Sequence, residues 1–225
     1  MRLLFQDEHL VALDKPAGRI VIPGRGAPEW TILEEAQAAL GRLWVVHRLD
    51  RGTSGVLALA RTAAAHRALN LAFEGRSVEK RYLALVRGAP PDEQRIELSI
   101  APARKGRMKA VPPGDPRGKP SATAVRVLER FPAAGLALVE CAPETGRTHQ
   151  LRVHLAFTGT PLALDPDYGE EAPLAGPDGE VLLARTPLHA SALTFPHPAS
   201  GVTLRVEAPL PDDLARVLAW ARHPA

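Results

Sequence analysis

"VVHRLDRGTSGVLALART", residues 45–62, sets a polar run, His47 to Gly55, between two apolar runs. The flanking segments 43–46 and 55–60 are short, apolar and bounded by loop residues, which predicts two buried strands. Asp50 stands in the connecting loop between Arg48 and Arg51. Two readings compete for it. It is a turn that caps a strand with charge, or it is a carboxylate nucleophile that arginine holds ionised.

Outward from that loop, strands and helices alternate without a fixed period. Two short strands, "RLLFQD" and "HLVALDKP", open the chain, and "KPAG" breaks regular structure. "PEWTILEEAQAALG" predicts a helix with Thr31 as N-cap, Glu34 three residues on and Gly41 at its end. A second helix is expected over "TAAAHRALNLAFEG", and a strand over "EKRYLALVRG". "SATAVRVLERF" and "LALVECA" predict a strand pair turning near Ala133-Ala134-Gly135. "GRTHQLRVHLAFTG" predicts a helix with Leu151, Leu155 and Phe157 on its apolar side and Arg152 elsewhere. Residues 160–184 hold six acids and no base and read as a flexible surface loop. "LHASALTF", "GVTLRVEA" and a helix from Asp212 to Arg222 close the chain. This mixture predicts one α+β domain over residues 1–225, built on a mixed, mostly antiparallel sheet.

Composition bounds the function. Hydrophobic residues make up 45% and charged residues 24% of 225, enough apolar content for a substantial core. Cys141 is the single cysteine and sits in an apolar run, so no internal disulfide forms and a buried strand position is expected. No stretch approaches the length of a membrane span, and "MRLLFQDEHL" becomes charged too early for a signal peptide; the cytoplasm is the expected compartment. Of the 28 basic residues 23 are arginine, whose planar fork suits phosphate and stacks on bases. Six basic residues against one acid fall in the Pro/Gly-rich arm 101–120, among them Arg104, Lys105, Arg107 and Lys109. The arm is either a solvated loop or a basic hairpin that lies along a phosphate backbone.

Several chemistries are disfavoured. His149 and His154 are five apart, HExxH is absent, and no carboxylate accompanies a histidine pair at metal-binding spacing. "PGRGAPEW" lacks the third glycine of a dinucleotide loop and the Lys-Ser/Thr of a phosphate loop. "RGTSG" is one residue short of a nucleophile elbow; Thr53 and Ser54 are expected to pin the loop instead. His47 and His149 read as structural hydrogen-bonders, and Glu140 and Glu144 as surface or structural acids. Asp50 remains. A hydrolytic glycosidase needs a second carboxylate, and none accompanies the basic motifs. A lone aspartate with basic and aromatic helpers suits a reaction that consumes no water.

These residues resemble a known family. "HRLDRGTSGVLALART" is similar to the signature of the RluA-type RNA pseudouridine synthases. "LDKPAG" (13–18), "VEKRYLALVRG" (78–88), "GKPSATAVRVLE" (118–129), "TGRTHQLRVHLAFTGTPLALDPDYG" (145–169) and "LHASALTFPHPASG" from Leu188 follow in that family's order. Leu164 departs from the family's usual glycine. The resemblance implies the pseudouridine synthase fold, with a cleft for RNA. It implies an isomerase of uridine in ribosomal or transfer RNA, with no cofactor and no metal. Motif by motif it makes Asp50 the nucleophile, Arg48 the residue that helps displace the target nucleotide, and Tyr82 the catalytic ring that stacks on the flipped uracil and helps deprotonate C5 at the end. Arg152 would be the ion-pair partner of Asp50, Leu151 would line the pocket and Lys80 would support it. Expected partners are RNA alone, with no membrane and a monomeric chain. A binding or ribosome-assembly factor on the same fold is the alternative; such a protein needs none of Asp50, Tyr82 and Arg152.

Overall fold

The computed structural model describes residues 2–23, 30–112 and 114–224. In chain order its elements are β1 (Arg2–Gln6), β2 (Leu10–Lys15), α1 (Ile32–Leu40), β3 (Trp44–Val45), β4 (Ser54–Ala60) and α2 (Ala63–Glu74). Then come β5 (Glu79–Arg87), β6 (Glu93–Pro102), β7 (Met108–Val111), β8 (Lys119–Phe131), β9 (Leu136–Pro143) and α3 (Gln150–Phe157). Last are β10 (Leu174–Ala175), β11 (Val181–Leu183), β12 (Leu188–Pro196), β13 (Thr203–Glu207) and α4 (Asp212–Arg222). The architecture is α+β. Two compact units divide the chain: residues up to Lys80 with Ala190–Pro209, and Arg81–His189 with the chain from Leu210 onward. The glycines of "PGRGAPEW", the first residues of the expected opening helix and Pro113 of the basic arm lie outside the described residues.

In the first unit the strands run in the order β1, β2, β4, β12, with β3 on β4 and β13 on β12. β4 is buried along its whole length, and its alternation assigns its side chains to two cores. Val56, Ala58 and Ala60 pack with Ala65, Leu69 and Ala72 of α2. Leu57 and Leu59 pack with Ile32 and Ala36 of α1. β2, antiparallel to β4 from Leu10↔Ala60 to Lys15↔Gly55, divides in the same way. A continuous apolar run is what a strand covered on both faces requires. The helix ends follow the sequence. The Thr31 hydroxyl accepts from Glu34 N at 3.2 Å and the Glu34 carboxylate accepts from Thr31 N at 2.8 Å, the reciprocal capping box. Thr62 caps α2 through Ala65 N at 3.1 Å.

In the second unit the order is β5, β9, β8, β6, β7, each neighbour antiparallel. Ala84, Val86, Val139 and Cys141 pack with Leu151 and Leu155 of α3. Leu85, Phe131 and Leu136 pack with Leu214, Val217 and Leu218 of α4. The expected strand pair turns through Pro132–Ala134 to Gly135, at φ +64°. Two expectations are corrected here. Phe157 is 63% exposed, because it lies about 200° round the helix from Leu155. The segment 160–184 is only in part the surface loop its charge suggests: Glu170, Glu171, Asp178 and Glu180 are exposed, but its first residues are built into the core. Leu162, Ala163, Leu164 and Asp165 are buried, Ala163 N donates to Leu85 O at 2.9 Å, and β10 pairs with β11.

Candidate active site

The residues singled out by the sequence fall on both units. In the first, the loop from His47 to Ser54 is braced from three sides. His47 Nε2 accepts from Ala58 N at 2.9 Å, and its ring stacks on Phe73 at 5.0 Å. Burial, aided by the charge of Lys80, pushes the imidazole down to about 4, so His47 is neutral and its Nδ1 carries the proton. Thr53 N donates to Asp50 O at 3.1 Å, closing the turn. Arg51 O accepts from Gly18 N at 2.8 Å and from Lys15 Nζ at 3.3 Å. Lys15 is fully buried and also donates to Pro16 O and Arg19 O. An ammonium ringed by carbonyls replaces part of its lost hydration, and it fixes "KPAG" against the Asp50 loop. Sequence reasoning gave Lys15 no role; its signal is a lysine at the end of the apolar run "HLVALDK".

Asp50 is partly buried, Leu49 beside it is buried, and Arg48 is exposed. The loop re-enters β4 at Gly55, whose φ is +112°. A Cβ there would lie 2.2 Å from Ala190 O, so only glycine permits the close approach of the two backbones.

In the second unit Tyr82 faces Cys141 in register and packs against the cluster that holds Leu151, so these two expected pocket residues share one apolar face. Buried Gln150 seats the start of α3. Its Nε2 donates to Ala122 O at 3.0 Å and Thr123 Oγ1 at 3.1 Å, while its Oε1 accepts from Thr145 Oγ1 at 2.7 Å and Arg147 N at 3.0 Å. All four of its hydrogen-bonding positions are filled.

Arg152 follows on the same helix and is 8% exposed. Its Nε donates to Asp165 Oδ2 at 2.8 Å, and its Nη2 to Asp165 Oδ1 at 2.5 Å and Asp167 Oδ2 at 2.8 Å. The guanidinium carbon lies 4.9 Å from the centre of the Tyr168 ring. Sequence reasoning missed Asp165, Asp167 and Tyr168. "DPDY" reads locally as a turn, and only the fold shows that it surrounds an arginine.

The basic arm is a hairpin: β6 and β7 pair from Ser99↔Val111 to Pro102↔Met108 around a tight turn at Arg104–Gly106. Arg104, Lys105, Arg107 and Lys109 are all exposed. Arg107 differs from the other three in reaching back, Nε to Asp167 Oδ1 at 3.0 Å and Nη2 to Pro166 O at 3.2 Å. Burial raises the Asp167 carboxyl, but the Arg152 and Arg107 guanidiniums outweigh it and hold the group below its ordinary value. Glu140 meets Arg126 at 3.2 Å, and Glu144 meets Arg95, so both acids pair at the surface. Among the described residues no group of three His, Cys, Asp or Glu is arranged to hold a metal, and no helix is long and apolar enough to cross a membrane.

Residues 9–157 match the family described as RNA pseudouridylate synthase. The chain is 41% identical over 232 residues to ribosomal large subunit pseudouridine synthase D of Nitrosomonas europaea, covering 99% of this chain and 66% of the relative. It is 39% identical over 228 residues to ribosomal large subunit pseudouridine synthase C of Escherichia coli O157:H7, covering 98% and 70%. The chain thus spans about two thirds of the length of these relatives. Among solved structures it is similar to human RNA pseudouridylate synthase domain containing 4, with a TM-score of 0.77 and 28% identity over 98% of this chain and 93% of that one.

Proposed function

We propose that this chain, which belongs to the RNA pseudouridylate synthase family, converts uridine to pseudouridine in ribosomal RNA of the large subunit, with Asp50 as nucleophile. The family's reaction is an isomerisation. The bond from uracil N1 to the sugar breaks, a bond from C5 forms, C5 loses a proton and N1 gains one. No water and no second substrate are consumed, which suits a site with one reacting carboxylate.

The observation that carries the reading is the bracing of the Asp50 loop by Lys15, Gly18, Thr53 and His47. A carboxylate that must meet a sugar carbon needs a fixed backbone, and this loop has one. Asp50 acts at C1′, directly or through a glycal, or adds to uracil C6; each route requires it ionised, and Arg152, whose fork also holds Asp165 and Asp167, is the guanidinium that the family resemblance assigns to that task. Tyr82 stacks on the flipped uracil and returns part of the unstacking cost, about 1–3 kcal/mol per base. Leu151 lines the pocket, Lys80 supports it, and Arg48 helps displace the target nucleotide from its helix. Arg104, Lys105 and Lys109 run along phosphates. The printed names of the relatives favour large-subunit ribosomal RNA over transfer RNA. The chain acts as a monomer.

The test treats RNA from cells lacking this gene with wild type and with Asp50→Asn, then maps pseudouridine by adducts that stop reverse transcription. A new stop in large-subunit RNA with wild type alone is expected. A stop produced equally by Asp50→Asn would remove the nucleophile assignment, and stops confined to transfer RNA would move the substrate.

A further inference from the structure

The hydroxyl of Tyr168 joins three elements. It accepts from Met108 N at 2.7 Å, at the first residue of β7, and bonds His149 Nδ1 at 2.8 Å, at the start of α3. Its ring lies under the Arg152 guanidinium. One residue earlier, Asp167 takes Arg152 on one oxygen and Arg107 on the other. The hairpin therefore has two fastenings to the turn that holds Arg152, one through the Met108 amide and one through the Arg107 side chain. Both end within one residue of each other.

We propose that Tyr168, Asp167 and Arg107 are positioning residues that make the seating of the basic hairpin set the orientation of the Arg152 guanidinium. Phosphate drawn along Arg104, Lys105 and Lys109 presses the hairpin onto the turn and tightens the grip on Arg152; a hairpin lifted off releases Asp167 and Tyr168 together. RNA engaged on the hairpin thereby readies the site before the uridine enters it. This rests on the assignment of Arg152 to the reacting site.

A guanidinium is a planar fork, so its usefulness depends on the direction of its N–H bonds as well as on its charge. Asp165 alone fixes the plane with two bonds. Asp167 and the Tyr168 ring resist rocking about that pair, and each is fastened to the hairpin as well as to the α3 side, Tyr168 through His149 and Asp167 through Arg152. A side chain that only bound RNA would change affinity. One that aims the reacting group changes the rate once RNA is bound.

The experiment is single-turnover pseudouridine formation on large-subunit ribosomal RNA from the deletion strain, with enzyme in saturating excess. Tyr168→Phe keeps the ring and deletes the two hydroxyl bonds; Arg107→Ala deletes the other fastening. Each variant is expected to lose about tenfold to a hundredfold in saturating rate, the scale set by small misplacements, with RNA affinity within about threefold of wild type. The double variant is expected to be no slower than the slower single one, because either loss unseats the same hairpin. Amide exchange at Met108 is expected to quicken in Tyr168→Phe, which reports unseating without reference to activity. Wild-type saturating rates with weakened affinity would make the hairpin an RNA-binding arm only and overturn the proposal. Losses that multiply in the double variant would overturn it as well. Asp50→Asn is run beside them. Turnover by that variant would strike the reading of the site, whereas its inactivity with wild-type rates for the other two would strike the coupling alone.

Discussion

Arg152 grips Asp165 through two parallel bonds, Nε to Oδ2 at 2.8 Å and Nη2 to Oδ1 at 2.5 Å, and the carboxylate is 1% exposed. A pair this deep carries a large desolvation cost that its geometry offsets, so removing one partner strands the other. Asp165→Asn is expected to cost about 3 kcal/mol, at the lower end for a broken buried pair because Asp167 stays in reach. Urea denaturation checks this through a lower midpoint at unchanged slope. Arg205→Ala is the contrast. Its partner Glu207 is equally near at 2.6 Å, but both side chains are more than half exposed, and the loss is expected to stay below about 0.5 kcal/mol. Equal losses in the two variants would show that burial does not set the strength of the Arg152 pair.

Gly55 tests the backbone that carries Asp50. An alanine there meets Ala190 O at 2.2 Å and must hold φ at +112°. Both effects destabilise, and neither is relieved by a rotamer change, since the clash is with backbone. Gly55→Ala is expected to lower stability by about 3 kcal/mol or more and to accumulate as insoluble protein. Gly146→Ala, where a Cβ meets nothing within 4 Å and φ is not positive, is expected to remain soluble and stable. A soluble Gly55→Ala with an unshifted melting temperature would contradict the close approach of β4 and β12.

Much of this was legible before the fold was known. The cap at Thr31, the continuous burial of β4, the buried Cys141 and the structural roles of His47 and His149 follow from local sequence. What escaped has physical reasons, β6 aside. No element was assigned to residues 89–100, although Ile96, Leu98 and Ile100 of β6 alternate with polar residues as a half-buried strand does. α3 begins at Gln150 rather than at Gly146, because a left-handed His149 at φ +55° and the side-chain bonds of Gln150 set its start. The acidic run 160–184 is exposed at Glu170, Glu171, Asp178 and Glu180, as its charge suggests, but charge counts say nothing about partners. Its Asp165 is buried by an arginine thirteen residues upstream.

Two histidines set a pH window for stability. His47 and His154 are each pushed down to about 4 by burial, from an ordinary value of 6.5. At His154 the cause is visible. Ser121 Oγ donates to Leu98 O at 2.8 Å, so His154 Nε2 donates to Ser121 at 2.8 Å, and buried Nδ1 meets no acceptor among the described residues. A second proton there would go unsatisfied. Between about pH 6.5 and 4 the unfolded chain binds protons at both rings that the folded chain does not. Stability is therefore lost as pH falls through that window, by at most about 1.4 kcal/mol per pH unit for each histidine. The lowered carboxylates Asp7, Asp167 and Asp213 act in the same direction but below their ordinary 3.8. Unfolding free energies measured from pH 7 to 4.5 are expected to fall, and His154→Gln is expected to remove about half of the slope. A flat profile in wild type would show that neither ring resists protonation.

The hairpin's four basic residues divide by what each already holds. Arg104, Lys105 and Lys109 are exposed, whereas Arg107 spends its fork on Asp167 and Pro166 O. Each phosphate neutralised by a lysine or arginine releases counterion, and the logarithm of affinity falls with the logarithm of salt by about 0.9 per contact on duplex and 0.7 on single strand. Replacing Arg104, Lys105 and Lys109 together by alanine is expected to reduce the salt slope of RNA binding by about two, with each residue contributing up to one contact. Arg107→Ala is expected to leave the slope within about 0.3 of wild type, because a guanidinium paired with a carboxylate has little net charge to offer a phosphate. Filter binding from 50 to 300 mM salt, on the order of the range in which such slopes are read, checks both. A full unit lost in Arg107→Ala would mean that RNA takes Arg107 from Asp167, and an unchanged slope in the triple variant would return the hairpin to solvent.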